Sequence, residues 1–156
     1  MKKILLLSLS NKFGEEIGVK LTHDLNVFYL NIDGFIEYSL LDSEKMLLTC
    51  GQKYYIEREQ QALKTCLAFE NMFFFCSYDV FVNNEQFFQN FEKLYLALPL
   101  EELKKYDDSD LVINTLAFEE RDAYLKEIAK EIKFLPENSA QSYNKLKVEI
   151  QKLLWK

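Results

Sequence analysis

The sequence predicts an α/β fold, a three-layer sandwich in which helices cover both faces of a five-stranded parallel sheet. Short apolar runs alternate along the chain with stretches at helical spacing, and such alternation favours a parallel sheet. The runs are continuously apolar, which is typical of strands buried on both faces. With 156 residues, of which 49% are hydrophobic, the chain suits one domain spanning residues 1–156.

The first half of the chain contains three predicted strands, each separated from the next by predicted helix. The strands span residues 3–9 (KILLLSL), 27–32 (VFYLNI) and 72–76 (MFFFC). The helices span residues 14–25, 35–41 and 54–70. In the first helix, Ile17, Leu21 and Leu25 recur every four residues and so share one side. Asp33 and Gly34 mark the end of the second strand.

The second half adds two predicted strands, at residues 93–98 (KLYLAL) and 131–135 (EIKFL). Pro99 suits the first turn of a following helix, and further helices are predicted over residues 119–130 and 139–154. In a parallel sheet, function is expected at the carboxyl ends of the strands. That expectation directs attention to five places, which are residues 8–16, 31–34, 76–80 and 98–101 and the segment near 106–121.

Charge and hydropathy exclude several classes of protein. The net charge of −6 disfavours broad binding to nucleic acid or to anionic membranes. No apolar run reaches the roughly 18 residues of a membrane span. The basic start followed by a short apolar run indicates a first core strand more than a signal peptide, so a cytoplasmic location is expected. The 13 Phe and nine Tyr fit a core, a pocket or a partner surface, and composition does not choose among them.

Several short segments occur in an order that matches one known family. They are residues 17–37 (IGVKLTHDLNVFYLNIDGFIE), 51–59 (GQKYYIERE), 71–85 (NMFFFCSYDVFVNNE), 95–103 (YLALPLEEL) and 121–129 (RDAYLKEIA). In this order, over about residues 1–135, the chain resembles the shikimate kinase family. The resemblance implies the P-loop kinase fold. For an intact member it also implies phosphoryl transfer from ATP to a hydroxyl with Mg²⁺.

The phosphate loop of that family is degenerate in this chain. The family pattern G-x-x-x-x-G-K-[ST] supplies backbone N–H groups, a lysine and a Mg²⁺-binding hydroxyl to the phosphates. Residues 8–15 read SLSNKFGE. Aligned without a gap, the changed positions are Ser8 and Phe13 for the glycines, Gly14 for the lysine and Glu15 for the hydroxyl residue. Asn11 and Lys12 complete the loop, and Lys12 is its one candidate substitute cation.

The resemblance also assigns the substrate-binding positions. Asn31 replaces the first acid of the D-x-D motif, while Asp33 retains the second. Ile56 replaces a substrate-binding arginine, and Arg121 matches another. The glycine triplet becomes Ser77, Tyr78 and Asp79, and residues 104–113 lack the arginine of the mobile lid. Asp33 and Arg121 are therefore the candidate substrate-binding residues, Asp33 is the catalytic candidate if the protein is active, and no metal ligands are assigned.

Both retained residues also have plain structural interpretations. Asp33 suits the cap of a helix that begins at Gly34, and Arg121 suits an ion pair with Glu120 or Asp122 on an exposed helix face.

Three functional hypotheses follow from these departures. The first is a shikimate-kinase-like pseudoenzyme that has lost phosphoryl transfer, needs no cofactor, and serves in binding or regulation, with a protein partner. The second is a divergent active small-molecule kinase that uses ATP and Mg²⁺ through Lys12, Asp33 and Arg121. The third is a ligand pocket without catalysis, in which Arg121 holds a small carboxylate.

Overall fold

A five-stranded sheet forms the centre of the molecule. The computed structural model describes residues 3–40, 43–70, 72–106 and 115–154. All neighbouring strands pair in parallel, in the order β2-β3-β1-β4-β5. The strands are β1 (Ile4–Leu7), β2 (Phe28–Asn31), β3 (Met72–Cys76), β4 (Glu92–Ala97) and β5 (Lys130–Lys133). The predicted five-stranded parallel sheet is confirmed.

Helices connect the strands and cover both faces of the sheet. They are α1 (Asn11–Leu25), α2 (Ile32–Leu40), α3 (Ser43–Cys50), α4 (Gln52–Leu67), α5 (Tyr78–Asn83), α6 (Leu100–Leu103), α7 (Thr115–Ile128) and α8 (Ser139–Leu154). Short 3₁₀ turns cover Glu85–Phe88 and Pro136–Asn138. The sequence did not predict α3 or α5. Among the described residues, no helix combines the length and apolar character needed to cross a membrane.

Two hydrogen bonds fix the helices on opposite faces of the sheet. On one face, the Tyr143 hydroxyl of α8 donates to Asp24 Oδ2 of α1 at 2.6 Å. On the other face, the Tyr95 hydroxyl of β4 donates to Asp122 Oδ1 of α7 at 2.7 Å. Helices α2 and α4 pack together, and α2 contacts β3. The three-layer arrangement is therefore as predicted.

Many of the aromatic rings fill the core. The fully buried rings are Phe73, Phe74, Phe75, Phe81, Phe88 and Tyr95. Strand β1, at the centre of the sheet, is buried along its whole length. Composition alone did not decide whether the aromatic rings form a core, a pocket or a partner surface. The structure shows that these six rings belong to the core.

Helix boundaries differ from the prediction where a side chain caps a helix. Helix α1 begins at Asn11, three residues before the predicted Gly14, because Ser10 Oγ accepts a hydrogen bond from Phe13 N at 3.1 Å. Helix α2 begins at Ile32, and Asn31 Oδ1 accepts from Gly34 N at 3.2 Å. Pro99 precedes α6 instead of lying in its first turn.

Two glycines let α1 lie close against the sheet. Gly14 and Gly18 are four residues apart, so they share one face of the helix. A Cβ atom on Gly14 would overlap the ring of Phe75 on β3, and a Cβ atom on Gly18 would overlap the ring of Tyr29 on β2. The rings therefore occupy the space that side chains on this face of α1 would need.

Substituting these glycines by alanine tests that close approach. We expect Gly14→Ala and Gly18→Ala each to lower the free energy of unfolding by about 1–3 kcal/mol, because overpacking displaces core rings. Gly34→Ala is the matched control, since its nearest neighbour is 3.8 Å from the new Cβ. Better helix propensity should make this control neutral or more stable by up to about 1 kcal/mol. Urea unfolding measures all three, and equal effects at Gly18 and Gly34 would contradict the packing described here.

Candidate functional site

The connection from β1 to α1, where a kinase would bind phosphate, is only residues 8–10. Ser8 and Ser10 are both buried. Ser10 N donates to Ser8 Oγ at 3.1 Å, and Gly14 N donates to Ser10 O at 3.0 Å. Together with the Ser10 cap on Phe13 N, these bonds engage the amides of Ser10, Phe13 and Gly14 at the start of α1. A phosphate would have to displace internal hydrogen bonds to reach them.

Phe13, at the position of the second loop glycine, is a core residue. Its ring packs edge-on against Phe134, with centroids 5.2 Å apart, and against Tyr106 at 5.7 Å. These contacts tie the start of α1 to the segment after β5 and to the residues that follow α6. The Phe13 ring therefore occupies space that a glycine at this position would leave empty beside the backbone.

Gly14, at the position of the family's phosphate-binding lysine, has no room for a side chain. Gly14 faces Phe75, so a lysine there would begin with the same overlap as an alanine Cβ. Asn11, Lys12 and Glu15 lie on the exposed side of α1. Glu15 places a negative charge where the family has a hydroxyl that binds Mg²⁺.

Asp33 joins the carboxyl ends of β2 and β3. Its Oδ1 accepts a hydrogen bond from Ser77 N at 2.8 Å. Burial raises the pKa of Asp33, although the hydrogen bonds from Ser77 act in the opposite direction. The helix cap at Gly34 comes from Asn31, so the interpretation of Asp33 as that cap is wrong.

The residues that replace the glycine triplet contact Arg121. Ser77 Oγ accepts from Val80 N at 3.3 Å and caps α5. The Arg121 guanidinium lies over the Tyr78 ring, 4.7 Å from its centroid. Arg121 Nη2 is 4.0 Å from Asp79 Oδ1, whose side chain is exposed, so this ion pair is weak. The contacts bring three predicted site positions together, while the use of Arg121 and Asp33 in ligand binding stays a prediction.

The alternative pairing of Arg121 with Asp122 does not occur. Asp122 instead accepts from Tyr95 and pairs with Lys126 at 2.8 Å. Asp122 therefore faces the sheet side of α7, whereas Arg121 points to α5.

A cavity of about 280 Å³ opens beside Asp33, between α2, α4 and α5. Asp33, Glu37 and Glu59 supply carboxylates to its wall, and Tyr55 supplies a hydroxyl. Ile36, Leu40 and Val80 form the apolar part of the wall. None of the described residues that line it is lysine or arginine. The cavity therefore suits hydrogen-bond donors, such as hydroxyl or ammonium groups, better than a carboxylate.

Arg58 lies two residues after the position of the family's lost arginine, and it does not line the cavity beside Asp33. Arg58 Nη1 donates to Gln61 Oε1 at 3.0 Å, and Arg58 lines a separate hollow. Ile56, at the position of the lost arginine, is exposed. Glu59 accepts a hydrogen bond from Asn84 Nδ2 at 3.3 Å, and Asn84 is buried. Glu59 is thus held in place by a buried side chain.

Sequence reasoning missed Glu37 and Tyr55 as cavity residues. The available signal was spacing, because Asp33 and Glu37 are four residues apart on one helix, and Tyr55 and Glu59 are four apart on another. Burial and then the charge of Glu59 raise the pKa of Tyr55, so its hydroxyl stays protonated.

Two further predictions concern metal ions and the lid. Within the described ranges, no group of three or more His, Cys, Asp or Glu side chains is arranged to hold a metal ion. Residues 107–113 of the predicted lid segment lie outside the described residues. Of the part that is described, Lys105 pairs with Glu102 at 2.9 Å at the end of α6.

Comparison with known proteins finds similarity in structure. No family model and no curated protein matches the sequence. Shikimate kinase from Bacteroides thetaiotaomicron has a TM-score of 0.70 at 18% identity, covering 96% of this chain and 98% of that chain. Shikimate kinase from Acinetobacter baumannii, solved with shikimate, has a TM-score of 0.65 at 16% identity, covering 99% and 93%. Dephospho-CoA kinase from Campylobacter jejuni has a TM-score of 0.55 at 12% identity, covering 98% and 97%.

These similarities define the class of fold. The chain has the P-loop kinase fold, in the form found in shikimate kinases. The fold predicted from the order of the motifs is confirmed. Fold does not determine activity, which has to be argued from the site.

The burial of Asp33 predicts a specific pH dependence of stability. The folded chain binds the Asp33 proton more tightly than the unfolded chain, whose Asp pKa is about 3.9. Stability from this group therefore falls as the pH rises through the folded pKa. Asp33→Asn removes the ionisation and keeps an oxygen for Ser77 N. We expect the variant to match wild type below about pH 3.9 and to become the more stable protein as the pH rises.

Urea unfolding across a pH series measures this difference. Glu37→Gln is the control, because Glu37 lies one turn away in the same helix and cavity but is exposed. A stability gap for Asp33→Asn that is independent of pH, or that widens as the pH falls, would contradict the burial of this carboxyl.

Proposed function

We propose that this protein is a binding protein on the shikimate kinase fold that does not transfer phosphate from ATP. The observation that carries the proposal is the connection from β1 to α1. It has three residues, the amides of Ser10, Phe13 and Gly14 are engaged by internal hydrogen bonds, and Phe13 is packed in the core beside it. A phosphate-binding loop needs open backbone N–H groups, and three of the amides at this turn donate to Ser8 and Ser10 instead.

The energetics support loss of nucleotide binding. Each charge-assisted hydrogen bond to phosphate that is missing costs roughly 1.5–3 kcal/mol of affinity. The lysine is absent, and the space at Gly14 is taken by Phe75. Glu15 adds repulsion of about 4 kcal/mol for a phosphate charge at 4 Å near a protein surface. Lys12 is exposed on α1, so reaching a phosphate in the closed loop would require rearrangement of the helix start.

The cavity beside Asp33 supports a ligand other than shikimate. The Acinetobacter baumannii kinase was solved with shikimate, which carries a carboxylate. A carboxylate entering the cavity of this chain would meet Asp33, Glu37 and Glu59. The retained Arg121 is engaged by Tyr78 and Asp79. These contacts favour a binding role with altered ligand chemistry over both the divergent kinase and the carboxylate pocket centred on Arg121.

Calorimetric titration with ATP–Mg²⁺ and then with shikimate tests the proposal. We expect no binding heat with either compound at millimolar concentration, no rise in melting temperature, and no phosphorylated shikimate in a coupled assay. The Bacteroides thetaiotaomicron shikimate kinase, titrated under the same conditions, is the positive control. Micromolar affinity for ATP–Mg²⁺, or phosphorylation of shikimate at ordinary enzyme rates, would contradict the proposal and favour the divergent active kinase.

A further inference from the structure

A second cavity lies under α7, apart from the phosphate-loop and substrate-binding residues that the resemblance assigns. It has a volume of about 390 Å³ and opens at the carboxyl ends of β4 and β5. This volume falls in the range of small-molecule sites, roughly 300–1,000 Å³. None of its lining residues belongs to the degenerate phosphate loop, to the replaced glycine triplet or to the cavity beside Asp33.

One wall of this cavity is apolar. It consists of Leu98, Pro99, Leu100, Phe118 and Leu135. These residues come from the segment after β4, from α7 and from the residues after β5, so three parts of the chain converge on one concave surface. Such a surface binds the hydrocarbon part of a small molecule by removing it from water.

The opposite wall carries a row of alternating charges. Asp122 pairs with Lys126 at 2.8 Å, Lys126 with Glu131 at 3.4 Å, and Glu131 with Lys133 at 3.7 Å. The carboxylate side chains are only 16% and 20% exposed, whereas Lys126 is 44% and Lys133 is 69% exposed. The acids therefore lie behind the lysines, and the accessible charge on this wall is positive.

The contacts leave Lys133 able to donate to a ligand. Its Nζ is 3.7 Å from Glu131 Oε1, too far for a hydrogen bond. Asp122 is already occupied, because it accepts from the Tyr95 hydroxyl and from Lys126. The hydrogen bond to Asp122 raises the pKa of Lys126, so this ammonium stays charged.

We propose that the cavity under α7 binds a small carboxylic acid with an apolar body. The body packs against Phe118, Leu98 and Leu135, and the carboxylate receives hydrogen bonds from Lys133 and Lys126 at the open side. This site is separate from the proposed loss of phosphoryl transfer, and neither inference depends on the other.

The probe is 3-phenylpropionate, followed by amide chemical shifts in ¹⁵N-labelled protein during a titration. We expect saturable shifts at Phe118, Lys126, Lys133 and Leu135. Lys133→Ala should weaken binding about tenfold, the effect of losing one charge-assisted contact of roughly 1.4 kcal/mol. Because Lys133 is exposed, this variant should keep the wild-type melting temperature.

Lys152→Ala is the matched control. Lys152 is 64% exposed and lies 3.7 Å from a carboxylate, that of Glu149, whose side chain is 17% exposed. It thus reproduces the setting of Lys133 on a different helix, and its removal should leave the affinity unchanged. Equal weakening by both variants would show a general charge effect and overturn the site.

Two more measurements separate the parts of the proposal. Phe118→Ala should weaken binding of 3-phenylpropionate, because it removes part of the apolar wall. 2-Phenylethylamine has a similar body and the opposite charge, so it should bind at least about tenfold more weakly than the acid. Equal or tighter binding of the amine would overturn the choice of a carboxylate. The absence of saturable shifts with 3-phenylpropionate at millimolar concentration would overturn the site as a whole.

Discussion

The close packing of α1 on the sheet determines what the start of this fold can hold. Gly14 and Gly18 bring the helix against the rings of Phe75 and Tyr29, and neither position accepts a side chain. With the helix in that place, Ser10 caps it, and Phe13 is directed towards Phe134 and away from solvent. The same interaction that positions the helix therefore leaves no room for a lysine side chain at position 14, and the amides of Ser10, Phe13 and Gly14 are already hydrogen-bonded.

The residues at the family's substrate-binding positions likewise contact other residues of this chain. The ring of Tyr78 occupies space at the former glycine triplet, and the guanidinium of Arg121 lies on that ring. Asp33 holds the ends of β2 and β3 together through Ser77 N. Residues that the resemblance assigns to ligands thus have structural partners within the chain. The other two carboxylates of the neighbouring cavity, Glu37 and Glu59, come from α2 and α4.

The fold could be predicted from the sequence because its signals are local. Continuous apolar runs mark β1 and β3, and their order with the intervening helices defines the class. The start of α1 could not be placed, because it depends on whether Ser10 adopts a capping conformation. The charged wall under α7 was also missed. Asp122 and Lys126 belong to a helix, Glu131 and Lys133 to an edge strand, and the packing of α7 on β4 and β5 brings them together.

The order of the strands has a consequence for how the chain reaches its folded state. Strand β1 is synthesised first, yet both of its partners come much later, since Leu7 pairs with Cys76 and with Tyr95. Closing such long loops costs chain entropy before any contact repays it, so sheets of this kind fold slowly. Until β3 leaves the ribosome, the wholly apolar segment Ile4–Leu7 lacks both of the strands, β3 and β4, that flank it in the folded sheet. The nascent chain is therefore exposed to aggregation, and to capture by chaperones, through its first strand.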